Sequence, residues 1–158
     1  MTAYAEPARE FDVRLDAKGR VVLPAQLRKQ LGNEADVSFV MNRDVHAPCL
    51  VLYPKSVWEK TSQQLRRLNR FVKANADFIR RFTGGATPVS PDPTGRMLLP
   101  YALMKDARMG NDLKLIGADD RIEVWDAKAY ADMRKDETVD MSSLSESVMG
   151  ALGNDDGK

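Results

Sequence analysis

Nine residues, Asp16-Ala17-Lys18-Gly19-Arg20-Val21-Val22-Leu23-Pro24, return 76 positions later as Asp92-Pro93-Thr94-Gly95-Arg96-Met97-Leu98-Leu99-Pro100. The shared pattern is D-x-x-G-R-Φ-Φ-L-P, with Φ apolar. A period this long marks two copies of one supersecondary unit, a strong constraint on the fold. At the same offset, the apolar run Val37 to Met41 falls on Leu113 to Gly117. Leu50-Val51-Leu52-Tyr53 then falls near Ile122-Glu123-Val124-Trp125, after a contraction of four residues. Each copy runs into a helix start with an aromatic: Pro54 with Trp58, then Asp126 with Tyr130.

The D-x-x-G-R segment reads as a hairpin turn. An Asp at the first turn position accepts backbone N–H groups, and a Gly three residues on takes a positive φ. Asp16, Gly19, Asp92 and Gly95 are therefore turn residues, and Pro93 suits the fixed φ of a type I turn. The flanks, Phe11 to Leu15 and Arg20 to Leu23, read as strands. Pro24 suits the first turn of a helix over Ala25 to Leu31, stopped by Gly32. Pro100 opens a slightly longer helix that stops at Gly110. Each unit is expected as strand, turn, strand, short helix, strand, strand. One unit alone buries too little surface to fold, so the copies are expected to interlock.

Between the copies, Trp58, Leu65, Leu68 and Val72 fall at helical spacing, as do Phe78, Ile79 and Phe82. The first helix begins near Ser56. Asn75 reads as the N-cap of the second, and Gly84-Gly85 as its end. The chain thus divides into a first repeat over 11–54, a helical segment over 55–86, a second repeat over 87–126 and a C-terminal helix over 127–135. A Ser-, Gly- and acid-rich tail over 136–158 is expected to be disordered. The fold class is mainly β with short helices.

Several function classes drop out. Cys49 and His46 are the only residues of their kinds, which excludes an intrachain disulfide and most Cys- or His-based metal and catalytic arrangements. Cys49 starts an apolar strand and reads as a buried thiol. His46 reads as a loop residue. No nucleophile-plus-base constellation is visible, and Gly84-Gly85 lacks the lysine and hydroxyl of a phosphate loop. Neither an enzyme nor a cofactor or metal is expected. No stretch approaches the ~18 apolar residues of a membrane span. Met1 to Glu10 lacks a signal peptide's apolar run, so a cytoplasmic location is expected. The net charge of +1 hides an asymmetry: 136–158 set six carboxylates against Lys158, a net of −5, which leaves +6 on 1–135. A basic body suits an anionic partner.

L-D-A-K-G-R-V-V-L-P, then C-L-V-L-Y-P-x-x-x-W, then D-x-x-G-R-x-L-L-P, then L-I-G-x-x-x-R-I-E-V-W-D, resemble the bacterial MraZ family in order and spacing over roughly 11–135. The resemblance implies two tandem AbrB-like swapped-hairpin units closed into a pseudo-dimeric β-barrel, with an intervening helical hairpin. It also implies a ring-shaped homo-oligomer on double-stranded DNA that binds short promoter repeats and controls the division and cell wall gene cluster. The expected protein is a nucleoid-associated transcriptional regulator, a repressor.

Two readings of the turn arginines compete. Each can pair with its own Asp across the turn, or reach DNA with its guanidinium fork. Around Arg20 sit Arg14 and Lys18, whereas the matching positions near Arg96 hold Ser90 and Thr94. Phosphate neutralisation supplies much of DNA affinity. The first turn, with Arg14, Lys18 and Arg20, is therefore the expected DNA contact, and Arg96 an expected structural turn residue. Arg28 and Lys29 on the following helix are evenly balanced between a phosphate contact and a solvated helix face, and Arg28 is a further DNA candidate. The seven basic residues of 60–81 read mainly as a wet helix face. A rival function is an antitoxin-type or assembly module, which has no need of a basic first turn.

Overall fold

The computed structural model describes residues 9–31 and 38–155. The first repeat runs β1 (Glu10–Arg14), β2 (Arg20–Val22), α1 (Ala25–Gln30), β3 (Phe39–Arg43), β4 (Leu50–Pro54). Helices α2 (Lys55–Arg66) and α3 (Lys73–Gly84) lead into the second. That repeat runs β5 (Thr87–Val89), β6 (Arg96–Leu98), α4 (Tyr101–Asp106), β7 (Asp112–Ala118), β8 (Arg121–Asp126). Helices α5 (Ala127–Arg134) and α6 (Met141–Asp155) follow. The expected element order is present in both copies.

A six-stranded sheet takes the order β1-β7-β8-β4-β3-β5, and β2 pairs with β6 in a separate ladder. All pairings are antiparallel. The first strand of each repeat lies on the third strand of the other, with Val13 opposite Leu113 and Val89 opposite Phe39. The repeats also meet at Val51 opposite Glu123 and Val21 opposite Met97. Exchanging every strand for its counterpart leaves the order unchanged. This interlocking covers strand edges that a lone unit would expose. The expected closed barrel is not found: among the described residues β1 and β5 are the edges of an open sheet. The β2–β6 ladder spans three residue pairs and bridges neither edge.

Strand alternation sends one set of side chains to each face. Phe39, Met41, Leu50, Leu52, Leu113, Leu115, Ile122 and Val124 form the main core with Val21, Leu23, Met97 and Leu99 of the ladder segments. Leu27 of α1 and Leu103 and Met104 of α4 close it. Each fully buried side chain of this size contributes about 1.5–3 kcal/mol. On the opposite face, Trp58 of α2 lies between Tyr53, tilted against it at 5.3 Å, and Phe82 of α3, stacked on it at 5.7 Å. Buried Asn42 donates from Nδ2 to the Phe82 carbonyl at 2.8 Å, satisfying one of the unpaired carbonyls at the end of α3. Trp125 and Tyr130 meet edge to face beside Cys49, whose thiol is pushed up to about 12 by burial, then by the Glu123 and Asp44 charges.

Several boundaries differ from expectation. Helix α4 stops at Asp106 rather than Gly110 and has the six-residue length of α1. The left-handed position after it is taken by Arg108, at φ 55°. Phe39, not Val37, is the counterpart of Leu113, because their partners Val89 and Val13 are themselves counterparts. The second repeat is two residues shorter between its short helix and third strand, so the offset there is 74. Gly32 and Val37 lie outside the described residues. Helix α2 ends before Leu68 and Val72. Helix α3 starts at Lys73 with no side-chain cap, and Asn75 instead donates to the Asn69 carbonyl. The tail expected as disordered contains α6, whose described side chains are all exposed. Its Ser-rich composition masks apolar residues at helical spacing, Met141, Leu144, Val148 and Leu152, and Asp140 accepts from Ser142 N–H and Ser143 Oγ at its start.

Candidate nucleic-acid interface

Both D-x-x-G-R segments form the expected turn. In the first, Asp16 N–H donates to the Arg20 carbonyl at 2.9 Å and Gly19 N–H to the Asp16 carbonyl at 3.0 Å. Asp16 Oδ1 accepts from the backbone N–H groups of Lys18 and Arg20, each at 2.9 Å. Gly19 takes φ 81° and Gly95 φ 83°, a conformation an L side chain adopts only with strain. The second turn repeats these bonds through Asp92, with the Thr94 hydroxyl as an added donor at 2.7 Å. Both carboxylates are held below the ordinary range. For Asp16 the leading cause is the Arg20 N–H; for Asp92 it is the Thr94 hydroxyl, with the Arg20 charge acting from across the ladder. The turns keep this support above the ordinary carboxylate pKa and lose it as pH falls.

The two arginines part company beyond the backbone. Arg20 Nε donates to Asp16 Oδ2 at 2.9 Å, with its side chain 27% exposed. Its terminal nitrogens make no hydrogen bond to other described residues. The fork is anchored at one corner and offers two donors, the geometry that can meet O6 and N7 of a guanine. Arg96 serves its turn through its backbone N–H and carbonyl, while its exposed side chain has no hydrogen bond or ion pair among the described residues. The sequence reading expected pairing to Asp for Arg96 more than for Arg20; the structure has it the other way round. The two turns also differ locally: Thr94 Oγ1 donates to Asp92 Oδ1, a bond that Lys18 does not make to Asp16 through its side chain.

The remaining candidates sit on three different elements. Lys18 is exposed on the first turn. Arg14 ends β1 and lies 3.6 Å from Asp112, with both side chains over 70% exposed, so this pair is weak. Arg28 stands beside the second turn, not the first: a Cβ on Gly95 would meet its guanidinium at 3.2 Å. Alternation in R-V-V-L and R-M-L-L buries Val21 and Met97 and turns Arg20, Val22, Arg96 and Leu98 outward. In the ladder Arg20 faces Leu98, and Val22 faces Arg96. This is a short two-stranded ribbon with an arginine and an aliphatic side chain from each strand, a shape the DNA major groove admits. The sequence reading missed Val22 and Leu98, although the period-2 pattern marks both.

A family model described as "MraZ protein, putative antitoxin-like" matches residues 8–81 and again residues 82–148. The chain belongs to the MraZ family. Relatives named "Transcriptional regulator MraZ" include one from Flavobacterium psychrophilum, 40% identical over 92% of this chain and 93% of the relative. Another, from Christiangramia forsetii, is 40% identical over 92% of each. A third, from Yersinia pestis, is 33% identical over 87% of this chain and 93% of the relative. These MraZ proteins are named for regulation, not for catalysis. The two matches meet between Arg81 and Phe82, so each MraZ unit carries helices of its own: α2 with most of α3, then α5 with the first half of α6.

Proposed function

We propose that the protein is a sequence-specific DNA-binding regulator of transcription, a repressor of the division and cell wall gene cluster, whose first turn reads short promoter repeats. The observation that carries this reading is the anchored Arg20 fork on the outward face of the β2–β6 ribbon, flanked by exposed Lys18 and Arg14. The names of its MraZ relatives support the same class of function. The exchange of first strands supports a swapped-hairpin, pseudo-dimeric plan for the two units. One turn touches few phosphates, so useful affinity requires several turns linked in a ring-shaped homo-oligomer, nucleoid-associated, on repeats in phase with the helix. Fully exposed Phe71, between α2 and α3, offers apolar surface for such assembly.

The test is a salt titration on one-repeat and multi-repeat fragments of equal length from upstream of the protein's own gene. A turn bearing Arg14, Lys18 and Arg20 reaches about two or three phosphates, and log affinity falls by about 0.9 per phosphate with log salt. Two or more engaged subunits give a slope beyond about −4 on the multi-repeat fragment and a much shallower one on the single repeat. Equal slopes contradict the linked-turn mechanism. Failure to bind any duplex favours the antitoxin-type assembly module.

A further inference from the structure

The interlocking of the repeats decides which helix stands beside which turn. Leu99 N–H donates to the Gly19 carbonyl, and Leu23 N–H to the Gly95 carbonyl, each at 3.1 Å. Two residues past Leu99 the chain enters α4, so the first turn's neighbour is the helix of the second repeat. A groove of about 780 Å³ runs between them. Lys18 lies on one wall, and Tyr101, Lys105 and Arg108 on the other. Lys105 and Arg108 are exposed, and neither side chain has a hydrogen bond or ion pair among the described residues. Asp16 also lines the groove, and its carboxylate already holds Arg20.

Two details set the surroundings of the first turn apart from those of the second. At the offset of 76, Met104 stands for Arg28. Met104 is buried and leaves the first groove open, while Arg28 lies against the second turn. At the same offset Arg108 stands for Gly32. A long basic side chain thus occupies a left-handed position, φ 55°, where glycine is the favoured residue. Strained positions of this kind cluster where a side chain serves a site.

We infer that Lys105 and Arg108 are phosphate-contacting residues for the DNA that the first turn reads, forming with Lys18 one basic groove built from both repeats. The inference rests on the DNA-binding reading above. A phosphate backbone lying in the groove is held from both walls, and such contacts fix register without discriminating between sequences. The composite explains why Arg28, a candidate by sequence position, stands at the wrong turn to help the first.

The experiment compares four full-length proteins: the parent, Arg20→Ala, Arg28→Ala, and Lys105→Ala combined with Arg108→Gly. Each is titrated against the duplex upstream of its own gene and a scrambled duplex of equal length. Glycine accepts the backbone at 108, so the double variant keeps its Tm or gains slightly. It is expected to bind both duplexes at least about tenfold more weakly, with an unchanged ratio between them. Its salt slope becomes shallower by about 0.9 for each phosphate no longer neutralised. Arg28→Ala stays within about threefold of the parent. A double variant that binds like the parent, while Arg20→Ala loses the upstream duplex, overturns the inference and leaves the DNA-binding reading standing. A loss that follows Arg28→Ala instead also overturns it. A parent that binds neither duplex overturns both.

Discussion

Around the first turn, Lys18, Lys105 and Arg108 are exposed cations without partners among the described residues. Around the second, Thr94 replaces Lys18 and Gly32 replaces Arg108, exposed Lys29 matches Lys105, and Arg28 is drawn against Gly95. The helices after the fourth strands diverge as well. Helix α3 docks through Phe82, Ile79 and the Asn42 bond, whereas α6 presents Met141, Leu144, Val148 and Leu152 to solvent. The backbone plan of turn, ladder and sheet is shared down to matching hydrogen bonds. Duplication supplied a symmetric scaffold, and substitution at a few exposed positions gave its two ends different electrostatic characters.

Three experiments bear on this comparison. The largest effect is expected from Trp58→Ala, which removes the ring packed between Tyr53 and Phe82. A loss of about 2–4 kcal/mol in urea unfolding is expected, discounted for the ring's partial exposure. A loss under about 1 kcal/mol would mean that α3 is held by other contacts. Next come the turn glycines. Gly19→Ala meets only Leu98 at an ordinary 3.7 Å, while Gly95→Ala adds a 3.2 Å approach to Arg28. Both force alanine to a positive φ, at about 1–2 kcal/mol, and Gly95→Ala is expected to cost more. Equal costs would show that Arg28 yields freely and the second turn is no tighter than the first. The smallest effect belongs to the tail. Truncation after Lys135 removes α6, whose described side chains are all exposed, and Tm should stay within about 2 °C. A larger drop would show that α6 docks as α3 does.

The sequence disclosed the turn most clearly, because D-x-x-G-R names an acceptor, a positive φ and a strand start within five residues. The strand count and the burial of Cys49 also followed from local pattern. Strand partners did not, because the exchange of β1 and β5 between repeats is a long-range choice that periodicity does not encode. That one gap moved the neighbouring helix. By sequence Arg28 belongs to the first turn, and by pairing Lys105 and Arg108 do. The Arg20 bond to Asp16 was weighed only as the structural alternative to a DNA contact. Held at Nε alone, the fork serves the turn and keeps two donors for a ligand. Helix α6 escaped because serine and acid content outweighed its apolar spacing.

The most direct test sets Arg20→Ala beside Arg96→Ala on the duplex upstream of the protein's own gene, with Tm and light scattering on both. The anchored fork and the basic first turn predict that Arg20→Ala abolishes discrimination from a scrambled duplex while the protein stays folded and oligomeric. Arg96→Ala, whose side chain has no partner among the described residues, should leave Tm within about 2 °C and weaken binding by less than about tenfold. Equal loss of discrimination in the two variants, or full discrimination retained by Arg20→Ala, would contradict the assignment of DNA reading to the first turn.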